Sequence, residues 1–209
     1  IIVTGNPVRK NISSSIYTKE TAMMQFGLLP DKQTVLIVGG SLGANSINDV
    51  IMQNLKHFNE LGIQLIWQTG KSQSAKYLNA AKSFSNVYVN SFLNDMSAAY
   101  MAADMVVSRA GAMSVAEIAI TGKPCVFVPY PFAAEDHQTF NAKTLVDDGA
   151  AFMVKDAMVK DGLVPLITDA INQPSILDNM QKKIKAFAIS NADEIIAKEI
   201  IASVKTSNI

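Results

Sequence analysis

Glu117 closes the stretch Ser108-Arg109-Ala110-Gly111-Ala112-Met113-Ser114-Val115-Ala116-Glu117, the part of the chain with the clearest chemical content. A carboxylate there can accept two hydrogen bonds from a vicinal diol such as that of a ribose. Hydrogen bonds to a charged group contribute roughly 1.5–3 kcal/mol each, enough to set orientation. The loop before it, Arg109-Ala110-Gly111-Ala112, is small after its arginine and leads into a helix start. Its free N–H groups and partial positive charge suit a phosphate that approaches the backbone closely. A plainer alternative stays open: Ser114 and Glu117 have the spacing of a capping box, in which Glu117 merely satisfies the helix start.

Four other groups of residues carry comparable signals. Asp136-His137-Gln138-Thr139-Phe140-Asn141 gathers donors and acceptors onto the next helix start. Glutamine and asparagine suit sugar hydroxyls because each both donates and accepts; alternatively Asp136 is an N-cap and the amides are solvated. Gly39-Gly40-Ser41-Leu42-Gly43-Ala44 is a second glycine-rich turn between an apolar run and a helix. It lacks the Gly-Lys-Ser/Thr ending of a P-loop and the GxGxxG spacing of a dinucleotide fingerprint. Ser41 beside several free N–H groups is either a phosphate contact or part of a tightly packed turn. Arg9, just after the turn Thr4-Gly5-Asn6-Pro7, is either a solvated linker charge or a phosphate ligand. Leu93, after the run Val87-Tyr88-Val89, is either core or a residue whose backbone meets a flat base.

The elements that must hold these residues follow from periodicity. Met105-Val106-Val107 and Cys125-Val126-Phe127-Val128 read as strands, and helical patterns start near Ala112, ending at Gly122, and near Asp136. Strand, tight loop, helix, strand, loop, helix implies a parallel sheet with right-handed crossovers. Ligands of such sheets sit beyond the carboxyl ends of the strands, where both loops lie. Further strands are expected at 35–38, 63–68, 87–89 and 150–154. Further helices are expected at 19–26, from about 45 through Phe58, at 72–82, from Asn94 as cap through Ala102, and at 163–171, 175–189 and 193–204. The fold class is therefore α/β. The last helix carries Ile196, Ile200 and Val204 on one face. That face docks either on its own domain or on a part of the protein outside this chain.

Composition narrows the function. With 209 residues, 49% hydrophobic, and no low-complexity linker, the chain suits one large domain with a substantial core. The formal net charge is zero, so non-specific nucleic-acid binding is not expected, and an anion must be held by local N–H groups and single arginines. Cys125 is the one cysteine and sits in an apolar strand, which excludes an internal disulfide and suggests a reducing compartment. One cysteine and two histidines make a structural zinc site improbable. No apolar run approaches the roughly 18 residues of a membrane span, and no stretch reads as a signal peptide. Ile1-Ile2-Val3 reads as the end of a strand already under way, so the chain is expected to be a piece of a longer one.

Taken together and in order, Thr4-Gly5-Asn6-Pro7-Val8-Arg9, Gly39-Gly40-Ser41-Leu42-Gly43-Ala44, Ser108 through Glu117 and His137-Gln138-Thr139-Phe140-Asn141-Ala142 resemble the MurG-type glycosyltransferases. The resemblance covers essentially the whole chain but only the carboxyl-terminal half of such an enzyme. It implies a Rossmann-like parallel sheet with helices on both faces, one of two domains of a GT-B transferase. It further implies a linker over residues 1–10, a UDP-sugar domain over 11–190, and a terminal helix over 191–209 that packs toward the absent half. By the same resemblance Leu93 would meet the uracil through its backbone, and Glu117 the ribose hydroxyls. Ala112, Met113, Ser114, Val115 and Ala116 would line the diphosphate, with Ser41, Arg9 and Gly40 reaching it. Gln138, with His137 and Asn141, would hold the sugar.

The implied reaction is inverting transfer of N-acetylglucosamine from UDP-N-acetylglucosamine to the 4-hydroxyl of lipid I, giving lipid II for peptidoglycan. It needs no cofactor or metal, and it takes place at the cytoplasmic face of the bacterial plasma membrane. The absent half would carry the acceptor site, the general base and the membrane contact. This chain would then bind donor without turnover. Two rivals stand beside it: a UDP-N-acetylglucosamine epimerase of similar two-domain fold, which needs acid/base carboxylates in the cleft, and a non-catalytic nucleotide-sugar-binding subunit that acts with a separate acceptor-binding chain.

Overall fold

The computed structural model describes the backbone of residues 2–206 and side chains as far as Val204. The elements run α1 (Lys10–Ser13), α2 (Lys19–Gln25), β1 (Thr34–Val38), α3 (Asn45–Gln53), α4 (Leu55–Glu60), β2 (Gln64–Gln68), α5 (Ser74–Ala81) and β3 (Val87–Asn90). They continue as α6 (Met96–Ala102), β4 (Met105–Ser108), α7 (Ala112–Thr121), β5 (Cys125–Phe127), α8 (His137–Asp147), β6 (Phe152–Met153), α9 (Val159–Ile171), α10 (Pro174–Lys185) and α11 (Ala192–Thr206). The six strands form one parallel sheet in the order β3-β2-β1-β4-β5-β6.

Because successive side chains point to opposite faces of a strand, each strand feeds two cores. Val35, Ile37, Leu65, Trp67 and Val107 face one way and pack on Ile47 and Ile51 of α3, Phe58 of α4, Tyr77 of α5 and Ile167 of α9. Leu36, Ile66, Val106, Cys125 and Phe127 face the other way, onto Met23 of α2, Ala98 of α6, Ile118 of α7, Leu145 of α8 and Ile184 of α10. A sheet covered on both faces needs apolar residues at every position, hence runs such as Val35-Leu36-Ile37-Val38. The parallel α/β architecture read from the sequence is thus the one observed. Cys125 is buried and unpaired, and burial pushes its thiol well above the ordinary value.

Several local expectations are corrected. Ile2 and Val3 form no strand and are exposed, while Ile1 lies outside the described residues. The helix expected through Phe58 is two, broken at Asn54, whose amide Nδ2 turns back to Val50 O at 2.8 Å. The cap of α6 is Asp95 rather than Asn94: its Oδ1 accepts the Ala98 N–H at 3.0 Å. The last strand is the two residues Phe152–Met153, shorter than the expected run from Ala150. The helix expected from Leu163 already begins at Val159, and Pro174 opens α10 from inside its first turn rather than standing between helices. Along α11, Ile200 and Val204 are exposed and Ile196 is half-buried. No helix among the described residues is long and apolar enough to cross a membrane.

Candidate functional site

The strand order places the loops after β1 and β4 side by side, since Val38 pairs with Ser108 at the carboxyl ends of the two strands. Connections leave β1 and β4 toward opposite edges of the sheet here, which is the switch point where such sheets hold ligands. Both loops enter helices whose first turns lack a side-chain cap: Ala44 begins α3 and Gly111 begins α7. Gly40 and Gly43, at φ +86° and +90°, let the first loop fold back on itself. A cavity of about 830 Å³ lies between them, lined by Gly39, Gly40, Leu42, Gly43, Asn45 and Ser46 on one side and Gly111, Ser114 and Gln138 on the other. Such a volume suits a ligand pocket. One ligand can therefore meet the uncapped starts of α3 and α7 together.

Arg109 stiffens the floor. Its Nη1 donates to Val128 O and Pro129 O at 3.1 Å each and to Asp156 Oδ1 at 2.5 Å, and its Nη2 donates to Ser46 Oγ at 3.2 Å. Ser46 Oγ in turn donates to Asp156 Oδ1 at 2.7 Å. The guanidinium thus ties the start of α3 to the loops after β5 and β6, with its charge balanced by Asp156.

Glu117 sits one turn further into α7, and the capping-box alternative is not what forms, because the cap position belongs to Gly111. Tyr100 Oη donates to Glu117 Oε2 at 3.0 Å, and Arg9 Nη2 lies 3.6 Å from Oε1. Burial, reinforced by the neighbouring Glu117 charge, pushes the Tyr100 hydroxyl well above the ordinary tyrosine value. It therefore stays a proton donor to one carboxylate oxygen, while the other faces the more exposed Arg9. Arg9 meets Glu117 rather than the glycine loop.

Gln138 has its orientation determined by two donors. The N–H groups of Ala110 and Tyr130 both reach its Oε1, at 3.2 and 3.0 Å. With Oε1 so occupied and no partner for the amide nitrogen among the described residues, Gln138, which lines the cavity, has a donor rather than an acceptor left to offer there. Asp136 caps nothing; its Oδ1 accepts from Thr139 Oγ1 at 2.6 Å. His137 is exposed, with Nδ1 2.8 Å from Ala134 O.

The remaining expected residues divide. Asn141 gives its amide to Ala110 O at 3.0 Å. With Ala112, Val115 and Ala116 it lines a second cavity of about 270 Å³ beside Gly5 and Asn6 of the linker. Ser41 is exposed outside the larger cavity, its carbonyl accepting from the Lys71 N–H at 3.1 Å, and Met113 is exposed. Leu93 is buried and its N–H is already given to Gln68 Oε1 at 3.0 Å, which leaves only its carbonyl for a base. Gln68 also donates to Gly40 O at 3.3 Å, coupling the Leu93 segment to the glycine loop.

Gln68, Tyr100, Asp156 and the pair Tyr130 and Phe132 escaped sequence reasoning. Nothing local distinguishes a glutamine ending a buried strand or a tyrosine inside an apolar helix. The side-chain partners of Gln68, Tyr100 and Asp156 lie 17 to 110 residues away along the chain. The carboxylate that follows β6 was the one available hint for Asp156.

A doubly wound sheet in this order, with one cavity spanning the two loops of its switch point, defines a Rossmann-like α/β domain built to hold a ligand across two helix starts. Residues 34–197 match the Glycosyltransferase family 28 C-terminal domain, and the chain belongs to that family. It is 43% identical over 212 residues to a UDP-N-acetylglucosamine--N-acetylmuramyl-(pentapeptide) pyrophosphoryl-undecaprenol N-acetylglucosamine transferase of Bacteroides thetaiotaomicron, covering 100% of this chain and 57% of the relative. The crystal structure of Acinetobacter baumannii MurG superposes with a TM-score of 0.75 at 31% identity, covering 91% of this chain and 55% of that one. A UDP-GlcNAc 2-epimerase from Neisseria meningitidis, at 16% identity and a TM-score of 0.60 over 88% of this chain and 48% of that one, shares the fold alone. The chain spans about half the length of the curated relatives it matches.

Proposed function

We propose that this chain is the donor-binding half of an inverting transferase that moves N-acetylglucosamine from UDP-N-acetylglucosamine to lipid I, giving lipid II. The observation that carries this reading is the single cavity bordered by the uncapped starts of α3 and α7, in a chain of this family. The diphosphate lies across the N–H groups of Ala112, Met113 and Ser114 and of the Gly40-Ser41 turn. The Leu93 carbonyl meets the base, the Glu117 oxygen that Arg9 vacates takes the ribose hydroxyls, and the Gln138 amide donates to the sugar, with His137 and Asn141 at its margin. Val115 and Ala116 form the apolar flank of α7. As the acceptor hydroxyl attacks the anomeric carbon, negative charge grows on the departing diphosphate. Fixed N–H groups, with Arg9 swung from Glu117, stabilise it. Residues 1–10 serve as the linker, 11–190 as the donor domain, and the 191–209 segment packs toward the other half. That half supplies the acceptor, base and membrane contacts at the cytoplasmic face. Against the epimerase rival, Glu135 and Asp136 lie outside the cavity lining, and Asp156, the carboxylate that does line it, is engaged by Arg109 and Ser46.

Calorimetric titration of this chain with UDP, UDP-N-acetylglucosamine and ADP tests the reading. Both uridine ligands should bind and ADP should bind at least tenfold more weakly. Glu117→Ala should weaken UDP by about 10- to 100-fold, as loss of hydrogen bonds to a charged group implies. Equal affinity for ADP, or undiminished affinity in Glu117→Ala, would remove the nucleotide site as described.

A further inference from the structure

The cavity has a polar floor and an apolar mouth, and the mouth is not needed by either core. Phe132, 82% exposed, stands on one side of it and Leu42, 74% exposed, at the tip of the glycine loop on the other. Large apolar side chains are costly to leave in water, and a cluster at the rim of a pocket commonly marks what the pocket takes.

Phe132 is not a loose side chain on a loop. Its ring meets that of Tyr130 edge to face, with centroids 5.7 Å apart and planes at 73°. Tyr130 is held in turn: the Arg109 guanidinium lies 5.6 Å from its ring centroid, and its N–H donates to Gln138 Oε1. Arg109 is pinned by the carbonyls of Val128 and Pro129 and by Asp156. The aromatic step is therefore built on the same brace that orients the Gln138 amide. Gln138 and Phe132 line the same cavity and both rest on Tyr130, so one ligand there can meet both.

A hexopyranose with equatorial hydroxyls has hydroxyls around its edge and C–H bonds on its faces. It fits a site with a hydrogen-bond donor at the edge and an aromatic ring against a face. We propose that Phe132, seated on Tyr130, is the platform for the apolar face of the donor's pyranose, so that it reads the sugar and not the nucleotide. This rests on the donor-site reading above, and it adds a residue that determines sugar affinity separately from diphosphate binding.

Parallel titrations of wild-type chain, Phe132→Ala and Phe132→Tyr with UDP and with UDP-N-acetylglucosamine decide it. Phe132 is exposed, so neither substitution disturbs a core. In Phe132→Ala, affinity for UDP should stay within about twofold while that for UDP-N-acetylglucosamine falls about 3- to 10-fold, the range of one aromatic contact. Phe132→Tyr should restore it. Equal losses for both ligands in Phe132→Ala, or no loss for either, overturn the sugar platform while leaving the donor site standing. A wild-type chain that binds neither ligand overturns the donor site and the platform together.

Discussion

Lys123, between α7 and β5, is buried at the amino-terminal edge of the sheet, away from the cavity. Its Nζ donates to Ala103 O at 2.8 Å and is 3.5 Å from Met101 O. Burial lowers its pKa to about 8; Asp104 acts in the opposite direction and Lys19 and Lys185 add to the lowering. The unfolded chain keeps this amine protonated up to its ordinary value, so between pH 8 and that value the unfolded state binds the extra proton. Stability contributed at this site therefore rises with pH across that window and is least below it. From pH 7 to 9 the rise amounts to about 1 kcal/mol. Cys125, Tyr77 and Tyr100, whose values are all raised, act the other way at higher pH. The difference between wild type and Lys123→Met isolates the lysine. Urea unfolding at the two pH values should show the increment in wild type and lose it in the variant. An identical pH dependence in both proteins would contradict the assignment.

At the scale of elements, the glycine loop after β1 is locked to the loop after β2. The N–H groups of Lys71 and Ser72 donate to Ser41 O and Leu42 O at 3.1 Å each, and a Cβ on Gly43 would lie 2.2 Å from Thr69 O. Thr69 O is also held by the buried Asn48 amide at 2.8 Å, and Asn48 Oδ1 accepts from Trp67 Nε1 at 2.9 Å, so the wall cannot retreat. Gly43→Ala must then distort the loop. Gly62→Ala, at φ +70° with nothing within 4 Å, shares the backbone strain without the collision. Strain alone costs about 1–3 kcal/mol. Gly43→Ala should lower the thermal midpoint further than Gly62→Ala and weaken UDP binding, which Gly62→Ala should leave intact; matched behaviour of the two would refute the interlock. The strands and most helices around this loop were legible because periodicity and glycine signals are local. Asn48 and Gln68 were not, since a buried amide reads like a surface one until its distant partners are in place. The capping-box spacing at Ser114 and Glu117 misled for the related reason that Gly111 begins the helix three residues earlier than the box requires.

On the scale of the molecule, two cores sandwich one sheet, and apolar surface is distributed unevenly around them. Ile184 of α10 is fully buried in the core that holds Phe127 and Leu145, whereas Ile200, Ile201 and Val204 of α11 stand more than half exposed, as do Ile2 and Val3. Both α10 and α11 carry isoleucines at helical spacing, so the pattern marks an apolar face without saying what covers it. The energetic consequence differs sharply. Truncating a buried isoleucine removes its transfer free energy and leaves a cavity, a cost of about 2–5 kcal/mol. Truncating an exposed one changes stability by about 0.5 kcal/mol or less. Ile184→Ala should therefore lower the urea midpoint of this chain markedly, while the double variant Ile200→Ser and Val204→Ser should leave midpoint and slope almost unchanged. If the double variant destabilised the chain as much as Ile184→Ala, α11 would have to be packed into this domain's own core rather than presenting that face outward.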